Sequence, residues 1–151
     1  MAKADTSKKI LFVCAGNTCR SPMAEVIFKQ LSKKSNLIGY KAASAGLYAQ
    51  KEPINPNAKQ ALKNLGYAPP RSKQSKNLTP SMLKNADIVF TMTQDQKAYL
   101  QPYAKKIYSM KDVLGFDIAD PYGGDMQDYI NTALDIEKAV KKIIKFLSKN
   151  N

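Results

Sequence analysis

A loop of eight residues between a short apolar run and a helix constrains this chain more than any other segment. The run at residues 10–13 has the length and composition of a buried parallel strand, and Pro22 is typical of the first turn of a helix. A strand that leads directly into a helix is the repeating unit of α/β folds with parallel sheets. Ligands of such sheets bind beyond the carboxyl ends of the strands, which is where this loop lies.

The loop at residues 14–21, Cys-Ala-Gly-Asn-Thr-Cys-Arg-Ser, combines a thiol with the parts of an anion-binding site. Backbone amides at a helix N-terminus carry positive potential, and Arg20 can hold two oxygens of a phosphoryl group. Gly16 and Asn17 tolerate left-handed backbone conformations, which would turn further amides inward. The same positive field favours the thiolate form of Cys14. Together these groups suit phosphoryl transfer through a cysteinyl phosphate.

The composition argues against several other chemistries. The sequence contains no histidine, which excludes Ser-His-Asp and Cys-His catalysis, and two cysteines are too few for a structural zinc site. We therefore expect no metal, and we expect no cofactor. The net charge is +12, but the lysines are scattered and form no stripe interleaved with aromatic residues. A nucleic acid is therefore not expected as a main partner, and the charge would instead attract anionic substrates.

The location and domain organisation follow from the same sequence. No apolar run approaches the roughly 20 residues that span a membrane, so no membrane partner is expected. Residues 1–8 are polar and lysine-rich, which predicts a flexible tail rather than a secretory signal. Two cysteines in such a chain are typical of the reducing cytoplasm, where thiols are catalytic or redox-active. Residues 9–151 are long enough to form one domain.

Strands and helices alternate along this domain. Apolar runs predict three further strands, at residues 40–44, 86–91 and 106–109. Helical spacing predicts helices at residues 22–34, 57–65, 94–100 and 129–147, and a short one starting at Thr79. In the last helix, Ile130, Leu134 and Ile143 are among the residues expected to face the core. The alternation predicts a single three-layer α/β domain, with a doubly wound four-stranded parallel sheet and helices on both faces.

Two motifs in this chain also resemble a known family. Residues 14–25, in which Cys-x5-Arg-Ser is followed by Pro-Met-Ala-Glu, resemble the phosphate loop of the low-molecular-weight protein tyrosine phosphatases. The sequence Asp120-Pro121-Tyr122 resembles the general-acid loop of that family. The likeness extends from about residue 8 to the C-terminal helix and includes residues 44–46 and 87–92. It implies a monomeric, metal-free phosphatase that hydrolyses phosphotyrosine in a phosphorylated protein and binds phosphate, sulfate or vanadate in its loop.

The resemblance implies a role for each group of the site. Cys14 is the implied nucleophile, and Arg20 is expected to clamp two phosphoryl oxygens. Asp120 is expected to protonate the leaving group and then to activate the attacking water. Ser21 is expected to hydrogen-bond the Cys14 sulfur, to cap the following helix, or to do both. The residues expected to line the bound phosphoryl group are Ala15, Gly16, Asn17, Thr18, Cys19 and Ser21.

Three further side chains bear on the substrate and on regulation. Tyr48 and Tyr122 are candidates for the walls of the cleft, because a flat ring suits a phenyl group or a guanidinium plane. In the resembled family the second loop cysteine, Cys19 here, can pair with the nucleophile on oxidation. Such a disulfide would protect the nucleophile from irreversible oxidation and would make the enzyme redox-sensitive. A small apolar side chain packed under the loop is an equal alternative for Cys19.

Thr18 departs from the tyrosine-type pattern, in which a bulky apolar residue such as isoleucine is common at this position. Both Thr18 and the Gly123-Gly124 pair resemble the protein arginine phosphatase branch of the family. A threonine hydroxyl can accept a hydrogen bond from a phosphorylated guanidinium, whereas a branched apolar side chain packs against a phenyl ring. Phosphoarginine is therefore an alternative substrate.

Two alternatives of other classes are disfavoured by the sequence. Thioredoxin-linked arsenate reductases share this fold and loop, but they need further cysteines, and none follows Cys19. A non-catalytic phosphoprotein-binding module needs neither a nucleophile nor an acid. The presence of Cys14, Arg20 and Asp120 together therefore favours an enzyme.

Overall fold

The computed structural model of the protein describes residues 6–150 as an alternation of strands and helices. The strands are β1 (Lys8–Cys14), β2 (Tyr40–Gly46), β3 (Ile88–Thr91) and β4 (Ile107–Ser109). The helices are α1 (Arg20–Lys34), α2 (Pro56–Asn64), α3 (Pro80–Asn85), α4 (Gln94–Leu100), α5 (Met110–Leu114) and α6 (Met126–Lys149). A single 3-10 turn, Gln101–Tyr103, continues α4.

The strands form one four-stranded parallel sheet in the order β2-β1-β3-β4. β1 pairs with β2 along its whole length, from Lys8 opposite Tyr40 to Cys14 opposite Gly46. On its other side β1 pairs with β3, and β3 pairs with β4. The chain order therefore reverses between β1 and β3, and the loops after these two strands border one crevice. The predicted doubly wound sheet is confirmed.

Alternate residues of β1 supply the cores on the two faces of the sheet. Ile10 and Phe12 belong to the larger core, which α1, α2, α5 and α6 cover. Leu11 and Val13 belong to a smaller core, which α3 and α4 cover. Phe12 has ring contacts with neighbours on both sides, at centroid distances of 5.9 Å to Phe28 and 5.7 Å to Phe90. Because every residue of the strand's interior is buried, β1 holds its end, and the loop after it, in a fixed position.

The helices differ from the sequence predictions most clearly in α1, α5 and α6. α1 begins at Arg20 rather than at Pro22, and the N–H of Met23 donates to the carbonyl of Cys19 at 3.1 Å. α6 begins at Met126, where the carboxylate of Asp125 caps it. The short helix α5 was not predicted, because five residues are too few to show a helical period.

Two predictions at the ends of the domain need correction. The N–H of Lys8 donates to the carbonyl of Gly39 at 2.8 Å, so Lys8 belongs to the sheet rather than to the tail. Of the rest of the predicted tail, residues 1–5 lie outside the described residues. Leu134 was expected to face the core and is 46% exposed. It follows the buried Ala133 directly, and one residue turns the helix by about 100°, which moves its side chain off the buried stripe.

In the described part of the chain, no helix combines the length and the apolarity needed to cross a bilayer.

Candidate active site

Cys14 is the last residue of β1 and lies at the crevice where the strand order reverses. Its side chain is buried, and its sulfur lies 2.9 Å from the hydroxyl oxygen of Ser21. The N–H of Asn17 donates to the same sulfur at 3.3 Å. Ser21 makes the contact expected of it but does not cap α1, because the N-cap residue is Cys19. Two hydrogen-bonding groups and a nearby helix N-terminus stabilise negative charge on the sulfur.

Asn17 braces the loop with its side chain as well as with its backbone. Its φ of 57° is the positive value expected for a turn that directs amides inward, whereas Gly16 does not adopt a positive φ. The amide nitrogen Nδ2 donates to the hydroxyls of Ser21 at 2.8 Å and Ser44 at 3.0 Å. Its Oδ1 accepts the N–H of Lys76 at 2.9 Å. The sequence predicted the backbone role of Asn17 and missed these three bonds.

A buried carboxylate extends this network away from the loop. Ser44 donates to Oε1 of Glu25 at 2.6 Å, and Lys73 and Lys29 form ion pairs with the same carboxylate at 2.8 and 2.6 Å. Burial opposes the ionisation of Glu25, but the bonds from Lys29, Lys73 and Ser44 outweigh it and hold its pKa below the ordinary value. The carboxylate therefore anchors a chain of hydrogen bonds that ends at the Cys14 sulfur.

Gly46 leaves room for the loop to pass the end of β2. A Cβ atom on this residue would lie 2.6 Å from the carbonyl oxygen of Ala15 and 2.8 Å from the nitrogen of Asn17. The N–H of Leu47 donates to the carbonyl of Cys14 at 3.0 Å, and that of Tyr48 to the carbonyl of Ala15 at 2.8 Å. The backbone after β2 is thus joined directly to the loop, and only glycine permits this approach.

Arg20 and Asp120 meet beside the loop, although they are far apart in the sequence. The guanidinium of Arg20 is buried, and Nη1 donates to the carbonyl of Ile118 at 3.0 Å. Its Nη2 lies 3.7 Å from Oδ2 of Asp120, whose side chain is 52% exposed. One nitrogen is thus fixed to the backbone, while the other is directed at an exposed carboxylate that an entering anion can replace.

The structure separates Asp120 from the two other aspartates of the same loop. Asp117 accepts the N–H of Gln94 at 2.9 Å and so ties the loop to the start of α4. Asp125 caps α6 by accepting the N–H of Asp128 at 3.0 Å. Both carboxylates have structural partners, whereas Asp120 lies next to Arg20. In the sequence, the proline that follows Asp120 is the only feature that distinguishes it from Asp117 and Asp125.

The Gly123-Gly124 pair has a structural requirement of its own. Gly123 has a φ of 83°, and the N–H of Gly124 donates to the carbonyl of Pro121 at 2.8 Å. A Cβ atom on Gly124 would lie 2.9 Å from that carbonyl oxygen. The two glycines therefore form the tight turn that leads from the Asp120 loop into α6. Their presence does not by itself indicate which substrate the site accepts.

Thr18 is held by a residue for which no sequence pattern indicated a role. The N–H of Asn55, just before α2, donates to the carbonyl of Thr18 at 2.9 Å, and its Oδ1 caps α2. Thr18 is partly exposed, so its side chain is accessible at the loop surface.

Tyr129, at the start of α6, is buried close to Cys19 and Asp120. Burial raises the pKa of its hydroxyl, and the proximity of these two groups raises it further. Both α2 and α6 therefore support the loop.

Cys19, Tyr48 and Tyr122 occupy distinct environments. The thiol of Cys19 is buried, and burial, followed by the proximity of Cys14 and Asp120, raises its pKa well above the ordinary value. Cys19 therefore remains a neutral thiol, and both cysteines are free.

Tyr48 and Tyr122 are 75% and 82% exposed. Tyr48 is tied to the loop at Ala15 and Tyr122 donates its N–H to Asp120 at 3.1 Å, so each tyrosine is attached to one side of the site.

Comparison with known proteins agrees with this geometry. The family model described as low molecular weight phosphotyrosine protein phosphatase matches residues 9–151. A protein-arginine-phosphatase of Bacillus subtilis is 34% identical over 149 residues, which are 93% of this chain and 97% of that protein. A low molecular weight protein-tyrosine-phosphatase, PtpB of Staphylococcus epidermidis, is 33% identical over 141 residues, 89% of this chain and 96% of its own.

A solved structure extends the likeness to three dimensions. The YwlE arginine phosphatase, in a Cys-to-Ser mutant with a phosphorylated active-site serine, superposes with a TM-score of 0.87 at 32% identity, covering 95% of this chain and 97% of that one. The fold and the site are those of a phosphatase, a hydrolase with a phosphate-binding loop. The chain belongs to the low-molecular-weight phosphotyrosine protein phosphatase family.

Proposed function

We propose that this enzyme removes the phosphoryl group from phosphotyrosine in a phosphorylated protein, through a phosphocysteine formed on Cys14. The observation that carries the proposal is the placement of the Cys14 sulfur, within hydrogen-bonding distance of Ser21 and the N–H of Asn17 and at the same loop as Arg20. A packed structural cysteine needs none of these partners. The matched family description supports phosphotyrosine as the substrate class.

In the first step the Cys14 thiolate attacks phosphorus, and a sulfur–phosphorus bond forms as the bond between phosphorus and the leaving oxygen breaks. Arg20 exchanges its contact with Asp120 for two phosphoryl oxygens, and the amides of residues 15–20 bind the rest of the developing charge. Asp120, protonated before the step, gives its proton to the leaving oxygen. The carbonyl of Ile118 keeps the guanidinium in position throughout.

In the second step a water molecule attacks the phosphocysteine. Asp120, now a carboxylate, takes a proton from that water as the new phosphorus–oxygen bond forms. The sulfur–phosphorus bond breaks, and Ser21 and the N–H of Asn17 again stabilise the thiolate. Inorganic phosphate leaves, and the loop is ready to bind phosphate, sulfate or vanadate in its place.

Phosphoarginine is the second candidate substrate, and Thr18 is the observation that favours it. Its side chain is partly exposed in the loop, where its hydroxyl can accept a hydrogen bond from a guanidinium N–H. The similarity to a protein-arginine-phosphatase of Bacillus subtilis supports this candidate as well. The exposed rings of Tyr48 and Tyr122 suit either a phenyl ring or a guanidinium plane.

The two substrates are separated by comparing turnover of a phosphotyrosyl peptide and a phosphoarginyl protein by the wild type and by Thr18→Ile. We expect the wild type to prefer phosphotyrosine, and the variant to lose phosphoarginine turnover selectively. A wild-type preference for phosphoarginine that Thr18→Ile reverses would assign the enzyme to arginine dephosphorylation. A Cys14→Ser control reports on the class: it loses turnover of both substrates and still binds phosphate.

The remaining features of the proposal concern the working state of the enzyme. We infer a monomer that comprises one domain over residues 9–151 and uses neither a metal nor a cofactor. The transition-state charge is balanced by Arg20 and the loop amides, which take the place that a metal has in other phosphatases. A reduced pair of cysteines suits a cytoplasmic setting.

A further inference from the structure

Exposed lysines gather at the edge of the sheet where the strands begin, opposite the edge that carries Cys14. Lys8 and Lys9 are the first residues of β1, and Lys105 and Lys106 come just before β4. All four are exposed. The N–H of Val89, at the start of β3, donates to the carbonyl of Lys106 at 2.8 Å. Since the strands are parallel, these four lysines share one end of the molecule.

Two long helices bring further lysines to the same end. Both α1 and α6 begin beside the active site, and they pack on each other along the same face of the sheet. Their C-terminal ends therefore lie at the opposite end of the molecule. The last turn of α1 presents Lys33 and Lys34, and α6 presents Lys149 in its last turn and Lys145 just before it, all four exposed. Together with the four strand-edge lysines they form a surface that we term the basic pole.

Carboxylates of the described residues accompany the active site more than the basic pole. Asp117, Asp120 and Asp125 lie around the active site, and Asp87 lies at the start of the strands, where it accepts the N–H of Lys9 at 2.7 Å. Between residues 6 and 150, none of the carboxylate ion pairs uses a lysine of the basic pole. Although lysines occur over the whole chain, the eight lysines of the basic pole therefore give the end away from the site a local excess of positive charge.

An apolar side chain protrudes within the basic pole. Ile38 is 79% exposed in the turn between α1 and β2, and its neighbour Leu37 is buried and fixes that turn to the core. The next residue, Gly39, accepts the N–H of Lys8 at 2.8 Å, so Ile38 stands beside the start of β1. An aliphatic side chain forms no hydrogen bonds with water and no ion pairs, so its exposure among lysines is not explained by solvation.

We propose that the basic pole adheres to the surface of an anionic lipid bilayer, with Ile38 entering the boundary between headgroups and acyl chains. Lysine ammonium groups are attracted to anionic headgroups without a fixed geometry, and an apolar residue adds a contact that salt does not weaken. The sequence predicted no membrane partner because no segment can span a bilayer. Adhesion to the surface needs no such segment.

The composition of the basic pole favours lipid over nucleic acid. Phosphates of nucleic acids are bound preferentially through the planar fork of arginine, and the chain's two arginines, Arg20 and Arg71, lie outside the pole. Ile38 can neither stack on a base nor hydrogen-bond to one, whereas it can enter the acyl region of a bilayer. Because the basic pole and Cys14 lie at opposite ends of β1, the adhering enzyme holds Cys14 away from the bilayer and toward substrates in solution.

The test is sedimentation of the full chain with vesicles of phosphatidylglycerol and phosphatidylcholine, compared with phosphatidylcholine alone. We expect binding to the anionic vesicles at about 0.1 M salt and its loss near 1 M, where charges are screened within about 3 Å. Neutralising Lys33, Lys34 and Lys149 together to Gln should weaken binding about a hundredfold, at about fivefold for each lysine. Ile38→Ser should weaken it about tenfold, the lower end of what burial of an isoleucine contributes.

The matched control neutralises three lysines outside the basic pole, Lys51, Lys63 and Lys111, so that the net charge falls equally. This variant should bind within about twofold of the wild type if position matters beyond total charge. Equal losses in both triple variants, or no binding by the wild type, would overturn the proposal. So would tighter binding to a single-stranded RNA than to the vesicles at the same salt, with dependence on the same lysines. Turnover of an aryl phosphate by each variant confirms folding independently of the proposal.

Discussion

Replacing Gly46 by alanine tests whether β2 positions the phosphate loop. The added Cβ would lie 2.6, 2.8 and 2.9 Å from backbone atoms of Ala15, Asn17 and Gly16, whereas ordinary contacts begin at 3.4 Å. The nearest overlap, 0.8 Å by the difference of 3.4 and 2.6 Å, cannot be relieved by a rotamer change, because all three atoms belong to the backbone. The loop must therefore shift by nearly 1 Å.

A shift of this size has two measurable consequences. A displacement of about 1 Å in a catalytic group costs roughly 100-fold in rate, so kcat/KM for an aryl phosphate should fall by about that factor. Overpacking of this kind destabilises by about 1–3 kcal/mol, which urea unfolding measures. Both measurements are made on the purified variant, with activity normalised to its folded fraction.

Gly66→Ala is the matched control. Gly66 has a φ of 92° and no atom within 4 Å of an added Cβ, so alanine strains the backbone there without touching the loop. We expect a loss of stability of about 1–2 kcal/mol and an unchanged kcat/KM. If Gly46→Ala retains wild-type kcat/KM, or if the control loses activity to the same extent, the argument that Gly46 sets the position of the loop is wrong.

The remaining predictions concern acid catalysis, oxidation, acid stability and metal independence. Asp120→Asn should lower kcat for a phosphotyrosyl peptide by about 10²–10⁴-fold, and less for a substrate with a nitrophenolate leaving group. Peroxide should inactivate the wild type reversibly, whereas Cys19→Ala should not recover with thiol; equal recovery contradicts a protective disulfide. The pKa of Glu25 is held below 4.5, so its stabilising contribution is present above that value and is lost as pH falls through the lowered pKa. The free energy of unfolding should therefore fall less in Glu25→Gln than in the wild type as the pH is lowered below 4.5. A chelator should leave turnover unchanged and vanadate should block it, whereas chelator-sensitive turnover would contradict the metal-free mechanism.

The layered fold could be predicted from the sequence because its signals are local. Each strand is a short apolar run, and each long helix shows its own period, so the alternation of elements indicates a parallel sheet without knowledge of any contact. Errors arose where a local signal was short or ambiguous. α5 has only five residues, and Leu134 is an apolar residue one position beyond the buried stripe of α6.

The candidate site was predictable to the extent that it is contained in one loop. Cys14, Arg20 and Ser21 are close in the sequence, and Asp120 was identified through its motif. The supporting network was not predictable, because its bonds join residues distant in sequence, such as Ser44 with Glu25 and the side chain of Asn17 with Lys76. Serine, glutamate and lysine are common surface residues, and only the fold shows that these are buried together.

The phosphocysteine on Cys14 can be observed in an acid-quenched single turnover, in which excess enzyme reacts with a phosphotyrosyl peptide and the chain is analysed by peptide mass spectrometry. We expect a phosphoryl group on Cys14 at early times that disappears as phosphate is released, and no turnover by Cys14→Ala. Full turnover without any phosphorylated enzyme, together with activity in Cys14→Ala, would contradict the phosphocysteine mechanism.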